Sequence, residues 1–185
     1  KSIPRSYTVN KNVVPRYALA FVGDIMPVDG HSIRIGGGLK EFLRGSDYLI
    51  ANFEGVITDA KQEALLLVSD RRHSAEIIAL LKDIFPPEKT YLSVANNHAG
   101  DFGSEEFFAS VRLLESHKFN VFGWKERPYA DINDAIRVIA ASMWSNRRAG
   151  QLPMLEDAHH SIRPGAFNIL YPHFGYEFEL YPRPE

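Results

Sequence analysis

Short apolar runs alternate with amphipathic stretches along this chain, and several of the runs end in a polar or acidic residue. The first strong run is Tyr17-Ala18-Leu19-Ala20-Phe21-Val22-Gly23-Asp24. Its near-continuous apolar character suits a strand covered on both faces, and an acid closes it. Residues 1–16 before it are polar and punctuated by prolines, which predicts an N-terminal arm. A loop with Pro27, Asp29-Gly30 and Gly36-Gly37-Gly38 leads to a short helical segment over 39–43 and a second strand over 48–53, closed by Glu54-Gly55. Ile77, Ile78, Leu80, Leu81 and Ile84 follow helical spacing, so a helix is predicted over 74–85. Pro86-Pro87 stops it.

A third strand over 90–95 delivers Asn96-Asn97-His98-Ala99-Gly100-Asp101-Phe102-Gly103. Phe107, Phe108, Val111 and Leu114 then mark a helix over 104–117, with Glu105 and Glu106 suited to its positive end. Further strands are predicted over 119–123, 135–144 and 166–171, with 144–165 as loop. The last strand feeds Pro172-His173-Phe174-Gly175-Tyr176-Glu177. Strands alternating with helices predict a layered α/β fold, with residues 17–185 as one domain and no internal repeat.

Composition narrows the chemistry. The chain has 185 residues, 45% of them hydrophobic, and a formal net charge of -2, so nothing general attracts nucleic acid. Cysteine is absent, which leaves His, Asp, Glu and Asn as the available ligands. No apolar run reaches the ~20 residues that span a bilayer, and Lys1-Ser2-Ile3-Pro4-Arg5 holds no apolar signal core.

Asn97, His98 and Asp101 fall between a strand's carboxyl end and a helix, where ligands bind in open α/β sheets. An asparagine oxygen can ligate a metal, an imidazole can donate a proton, and a carboxylate three residues on can fix its tautomer. The same residue types also build ordinary loops, and Asp101 or Ser104 could cap the helix, so local sequence leaves both readings open. Four predicted strands end in such residues: Asp24, Glu54, Asn97 with His98, and His173. Oxygen donors with imidazole suit a divalent ion such as Mn, Fe or Zn, and carboxylates can bridge two.

Phe21-Val22-Gly23-Asp24-Ile25-Met26, Ala51-Asn52-Phe53-Glu54-Gly55, the 95–103 block and His173-Phe174-Gly175-Tyr176-Glu177-Phe178 resemble the ordered motifs of the bacterial capsule-synthesis CapA family, also called the poly-γ-glutamate capsule family. The resemblance covers Tyr17 to the C-terminus. That family is similar to the calcineurin-like metallophosphoesterases, which implies a four-layer αββα sandwich with a two-metal site at the strand ends. Carried over by motif, Asp24 would bind the first metal and Glu54 would stand in place of the bridging carboxylate. Asn97 and His173 would bind the second metal. His98 would protonate the leaving group, with Asp101 orienting it. Asn52, Asn96 and Glu177 lie in the same motifs and are candidate substrate contacts.

The departures also carry implications. Phosphoesterases have Asp-x-His in the first motif, whereas Met26 places a thioether there, a poor ligand for a hard ion. Asp29-Gly30-His31 spells the pattern in the next loop, where a turn or substrate-side role is expected. The family's later Gly-His-x-His-like motif does not occur, so the resemblance implies a C-terminally truncated domain whose site for one or two divalent ions is incomplete.

The leading expectation is a metal-dependent, hydrolase-like capsule-synthesis protein acting on a phosphoester or on an anionic polymer such as poly-γ-glutamate. The alternative is a non-catalytic accessory subunit that binds the polyanion or membrane-bound polymer synthase subunits. A nucleotide or sugar-phosphate phosphatase is a third class, because fold does not fix substrate. The resemblance implies the cell envelope, extracytoplasmic or membrane-anchored, while the sequence itself leaves the cytoplasm open. Elsewhere, Gly36-Gly37-Gly38-Leu39-Lys40 lacks the Gly-Lys-Ser/Thr ending of a phosphate-binding loop and is expected to be a flexible loop. Arg71-Arg72-His73 and Arg147-Arg148 could receive an anion but read better as solvated charge, and His159-His160 as surface.

Overall fold

A computed structural model of the chain describes residues 14–27, 31, 33–60, 71–143 and 150–175. Along it run β1 (Leu19–Ile25), α1 (Gly37–Leu43), β2 (Tyr48–Phe53), β3 (Val56–Ile57), β4 (Arg72–His73), α2 (Ile77–Ile84), β5 (Thr90–Ser93), α3 (Gly103–Ser116), β6 (Asn120–Phe122), β7 (Tyr129–Asn133), β8 (Ile136–Ser142) and β9 (Phe167–His173). Short 3-10 turns occupy Pro87–Lys89 and Leu155–Ser161.

The near-continuous apolar runs become a parallel sheet in the order β1-β2-β5-β6. Every residue of β5, and all of β2 after Tyr48, is buried, as strands covered on both faces must be. One face, carrying Ala51, Phe53, Leu92 and Val121, packs on α2 and α3 through Ile78, Leu81, Phe107, Val111 and Leu114. On the other face Ile50, Tyr91 and Phe122 meet Ile132, Ile136, Val138 and Ala140 of a second sheet. That sheet has the order β7-β8-β9, with β7 antiparallel and β9 parallel to β8. The Arg137 Nη1 on the far face of β8 donates to the Ser161 carbonyl at 3.0 Å, which seats the Leu155–Ser161 turn there. The layers are therefore helices, sheet, sheet and a 3-10 turn, an α/β arrangement compatible with the metallophosphoesterase type. Tyr171 Oη donates to the Val22 carbonyl and ties β9 to β1.

Several sequence expectations are corrected. Gly37 and Gly38, expected in a flexible loop, open α1, with Gly36 as its N-cap. The stretch read as loop over 144–165 contains the Leu155–Ser161 turn, and residues 144–149 with Arg147-Arg148 lie outside the described residues. Strand β7, which had no clear apolar signature, is held by its partner: Arg137 grips Asp131 at 2.7 and 2.9 Å and lies 3.5 Å over the Tyr129 ring. Strands β3 and β4 are two residues each, too short for a periodicity to register. Of the expected arm, residues 1–13 lie outside the described residues and 14–16 are exposed.

Candidate metal centre

The ends of β1, β2 and β9 and the loop after β5 converge. The β1–β2 register shifts between Phe21 and Asp24, an irregularity of the kind that re-aims a side chain. The Glu54 amide donates to the Ile25 carbonyl at 3.1 Å, so the two strand ends stay together beyond the ladder. Strand β9 extends past its expected end and carries His173 as its last residue. One oxygen each from Asp24 and Glu54 and a ring nitrogen of His173 all lie within 4.8 Å of one another.

Two asparagines fix this geometry from behind. Asn52 Nδ2 donates to Asp24 Oδ1 at 2.7 Å and faces His173 Nδ1 at 3.2 Å. Asn96 Nδ2 donates to the Phe53 carbonyl at 2.9 Å and to Asn52 Oδ1 at 3.3 Å. Its own carbonyl accepts from the His98 amide at 3.2 Å, which folds the Asn96–Asp101 loop back on itself. Both amides are buried and bonded within the protein. Asn97, half-buried, turns the other way and accepts from His173 Nε2 at 2.8 Å.

His98 occupies a buried position beside this cluster. Its Nδ1 donates to Asp101 Oδ2 at 2.7 Å, and its Nε2 lies 3.7 Å from Glu54 Oε1. The carboxylate thus sets the tautomer and turns the other ring nitrogen toward the cluster. The N-cap of α3 is Phe102, so neither Asp101 nor Ser104 holds the N-cap position.

Charge in the cluster is unevenly held. The His173 imidazole, helped by the Asn52 amide, keeps the Asp24 carboxyl below its ordinary range against the opposing effect of burial. Burial pushes the Glu54 carboxyl up, and the neighbouring Asp24 charge pushes it further. Burial and the Asp24 charge also raise the Tyr171 phenol to about 12, so it remains a donor to Val22. Two carboxylates and an imidazole lie together as donors of the kind that could hold a metal ion, with the Asn97 amide oxygen beside the imidazole.

Some expected residues stand elsewhere. Glu177 and Asp29 lie outside the described residues, and His31 is exposed. His159 and His160 are exposed as expected, their rings 3.8 Å apart. The solvated reading of 71–73 is corrected at two positions. His73 is buried, stacks on Phe53 at 4.4 Å between centroids, and donates from Nε2 to the Glu54 carbonyl at 2.9 Å. Arg71 is also largely buried, with Nε 3.9 Å from Glu54 Oε1. No periodicity marks either residue, because both arrive through the short β3–β4 pairing.

A family model described as bacterial capsule synthesis protein, PGA_cap, matches residues 18–140. The matched span contains Asp24, Glu54, Asn97, His98 and Asp101. No curated protein matches the chain.

Proposed function

This chain belongs to the bacterial capsule synthesis protein family PGA_cap, and from that premise we propose that it carries a divalent-metal centre of the phosphoesterase type, acting on a phosphoester or an anionic polymer. The observation that carries the reading is the convergence of Asp24, Glu54 and His173 within 4.8 Å, beside a histidine already oriented by its own carboxylate. Asp24, Glu54, His173 and Asn97 would hold the ion. When bound, a divalent ion at such a centre supplies an activated water and polarises a phosphoryl oxygen. The chain's own side chains do the rest. Asp101 keeps the His98 Nδ1 proton in place, so a second proton taken up by the ring would sit on Nε2, and that doubly protonated ring would pass it to a leaving group. Asn52 and Asn96 hold the ligands at their spacing. Membership of a capsule synthesis family supports work at the cell envelope, and among the described residues no helix is long and apolar enough to cross a membrane.

One feature favours a second reading, in which the domain is an accessory subunit that holds the polyanion or a membrane-bound synthase without turning it over. Met26 stands where phosphoesterases have a histidine, and a thioether adds little to a hard ion's ligand set. The two readings separate on metal content and turnover. Mass spectrometry on the purified chain should show bound metal that is lost in an Asn97→Ala, His173→Ala double variant. A generic phosphodiester with added manganese should then be hydrolysed by the wild type alone. Bound metal without hydrolysis would support the accessory role, and an empty centre would refute the metal reading.

A further inference from the structure

Arg71 is the charged group beside the centre that the roles above do not use. Among the described residues, its Nε is a buried donor without a hydrogen-bond partner. The Glu54 carboxylate, at 3.9 Å, is close enough to attract the charge and too far to accept the hydrogen bond. A buried guanidinium donor left unmet is costly, and one that a protein retains calls for an explanation such as a functional role.

The backbone is built to bring Arg71 there. Val56 donates to the Arg71 carbonyl at 3.1 Å, and β3 pairs with β4 through Val56 opposite Arg72. Gly55 permits the approach: its φ is +100°, and a Cβ on it would lie 2.0 Å from the Arg71 oxygen. The residue that follows the Glu54 ligand is therefore shaped around the residue that carries the guanidinium.

We propose that Arg71 is a substrate-binding residue of the centre, its guanidinium receiving an oxyanion, phosphoryl or carboxylate, of the molecule held there. A planar guanidinium matches both groups in a way an ammonium does not. The side chain is 13% exposed, so it is not sealed off from solvent. The inference rests on the reading of this cluster as a binding centre. It does not require that the centre turn its ligand over.

The test titrates the full chain with inorganic phosphate and with γ-glutamyl-glutamate by calorimetry, once with chelator and once with manganese, and measures manganese binding in the same samples. Arg71→Ala should weaken at least one probe about tenfold or more while manganese binding is kept. Arg71→Lys, which keeps charge and most of the volume, should fall between the two and decides the matter if the alanine variant does not fold. Arg72→Ala, removing the same charge from an exposed neighbour, should change nothing. Dependence on Arg71 for phosphate alone marks a phosphoryl ligand, and for the peptide alone a carboxylate polymer. Binding of neither probe by the wild type in either buffer overturns the proposal, as does equal binding by wild type and Arg71 variants, or equal weakening by Arg72→Ala. Arg71-dependent binding in a chain that takes up no manganese would sink the metal reading and leave this one standing.

Discussion

His173 Nε2 donates to Asn97 Oδ1 at 2.8 Å across 76 positions of sequence. The bond joins the last residue of β9, in the second sheet, to the loop that follows β5 in the first. With Nε2 carrying the proton, Nδ1 presents its lone pair to the Asn52 amide at 3.2 Å. Closing the sandwich is thus what assembles the centre, and the two sheets meet there through side chains that can also bind a cation.

Asn52 holds two of the metal candidates at once, so its loss should be felt in metal affinity. Asn52→Leu keeps roughly the volume and removes the donor to Asp24 and the contact to His173. Removing a group that orients a ligand typically costs about 10–100-fold in metal affinity. We expect the folded variant to bind manganese that much more weakly in a competition titration. An unchanged affinity would show that Asp24 and His173 hold their positions without it.

Asp101 acts through His98 and should be separable from metal binding. Asp101→Asn can no longer accept a hydrogen bond at both oxygens, and its amide can turn to donate to Nδ1, favouring the other tautomer of His98. Nitrogen chemical shifts of the ring should report the proton moving toward Nε2. Any hydrolysis should fall by about 10²–10⁴, the usual range for a displaced acid–base group. Manganese affinity should be unaltered. A loss of metal in this variant would mean that Asp101 supports the cluster rather than the proton.

The legible part of this molecule was the part written in local pattern. The apolar runs ending at Asp24, Glu54 and Asn96 became β1, β2 and β5 in one parallel sheet. Strands β2 and β5 are covered on both faces as their apolar runs imply, whereas β1, expected to be covered likewise, is an edge strand and buries only Ala20. Their ends carry most of the centre. What escaped is non-local. Strand β7 exists because Arg137 across the hairpin binds Asp131 and covers Tyr129. His73 and Arg71 look like solvated charge in a row of polar residues until β4 is laid against β3. No periodicity can report a two-residue strand, and no spacing rule connects residue 71 to residue 54.

Gly55 offers a test of that hidden connection. At φ +100° any side chain is strained, and an alanine Cβ would sit 2.0 Å from the Arg71 carbonyl oxygen, a backbone atom that cannot swing aside. Such strain costs about 1–3 kcal/mol before the clash is relieved by moving β4. We expect Gly55→Ala to lose about 3 kcal/mol or more in urea unfolding. A variant destabilised by less than about 1 kcal/mol would show that the β3–β4 pairing yields easily and that Arg71 is not held by it.

His73 should make stability depend on pH below neutrality. Burial holds its imidazole below the ordinary value of 6.5, outweighing the hydrogen bond it donates to the Glu54 carbonyl. The folded chain therefore keeps His73 neutral where the unfolded chain begins to protonate it. Because the unfolded state then binds more protons, stability is unaffected by this group well above pH 6.5 and falls as the pH drops through that value. It levels off only below the folded-state value. His73→Phe retains an aromatic partner for Phe53 and has nothing to protonate, so it removes this dependence while giving up one hydrogen bond, about 1 kcal/mol. Urea midpoints measured for both chains between pH 7.5 and 5.5 should show the wild type losing its advantage as the solution is acidified. The comparison cancels the acid response of groups the two chains share, including the raised Glu54 carboxyl. A difference between the chains that stays constant over the interval would mean that His73 is solvated enough to take a proton in place.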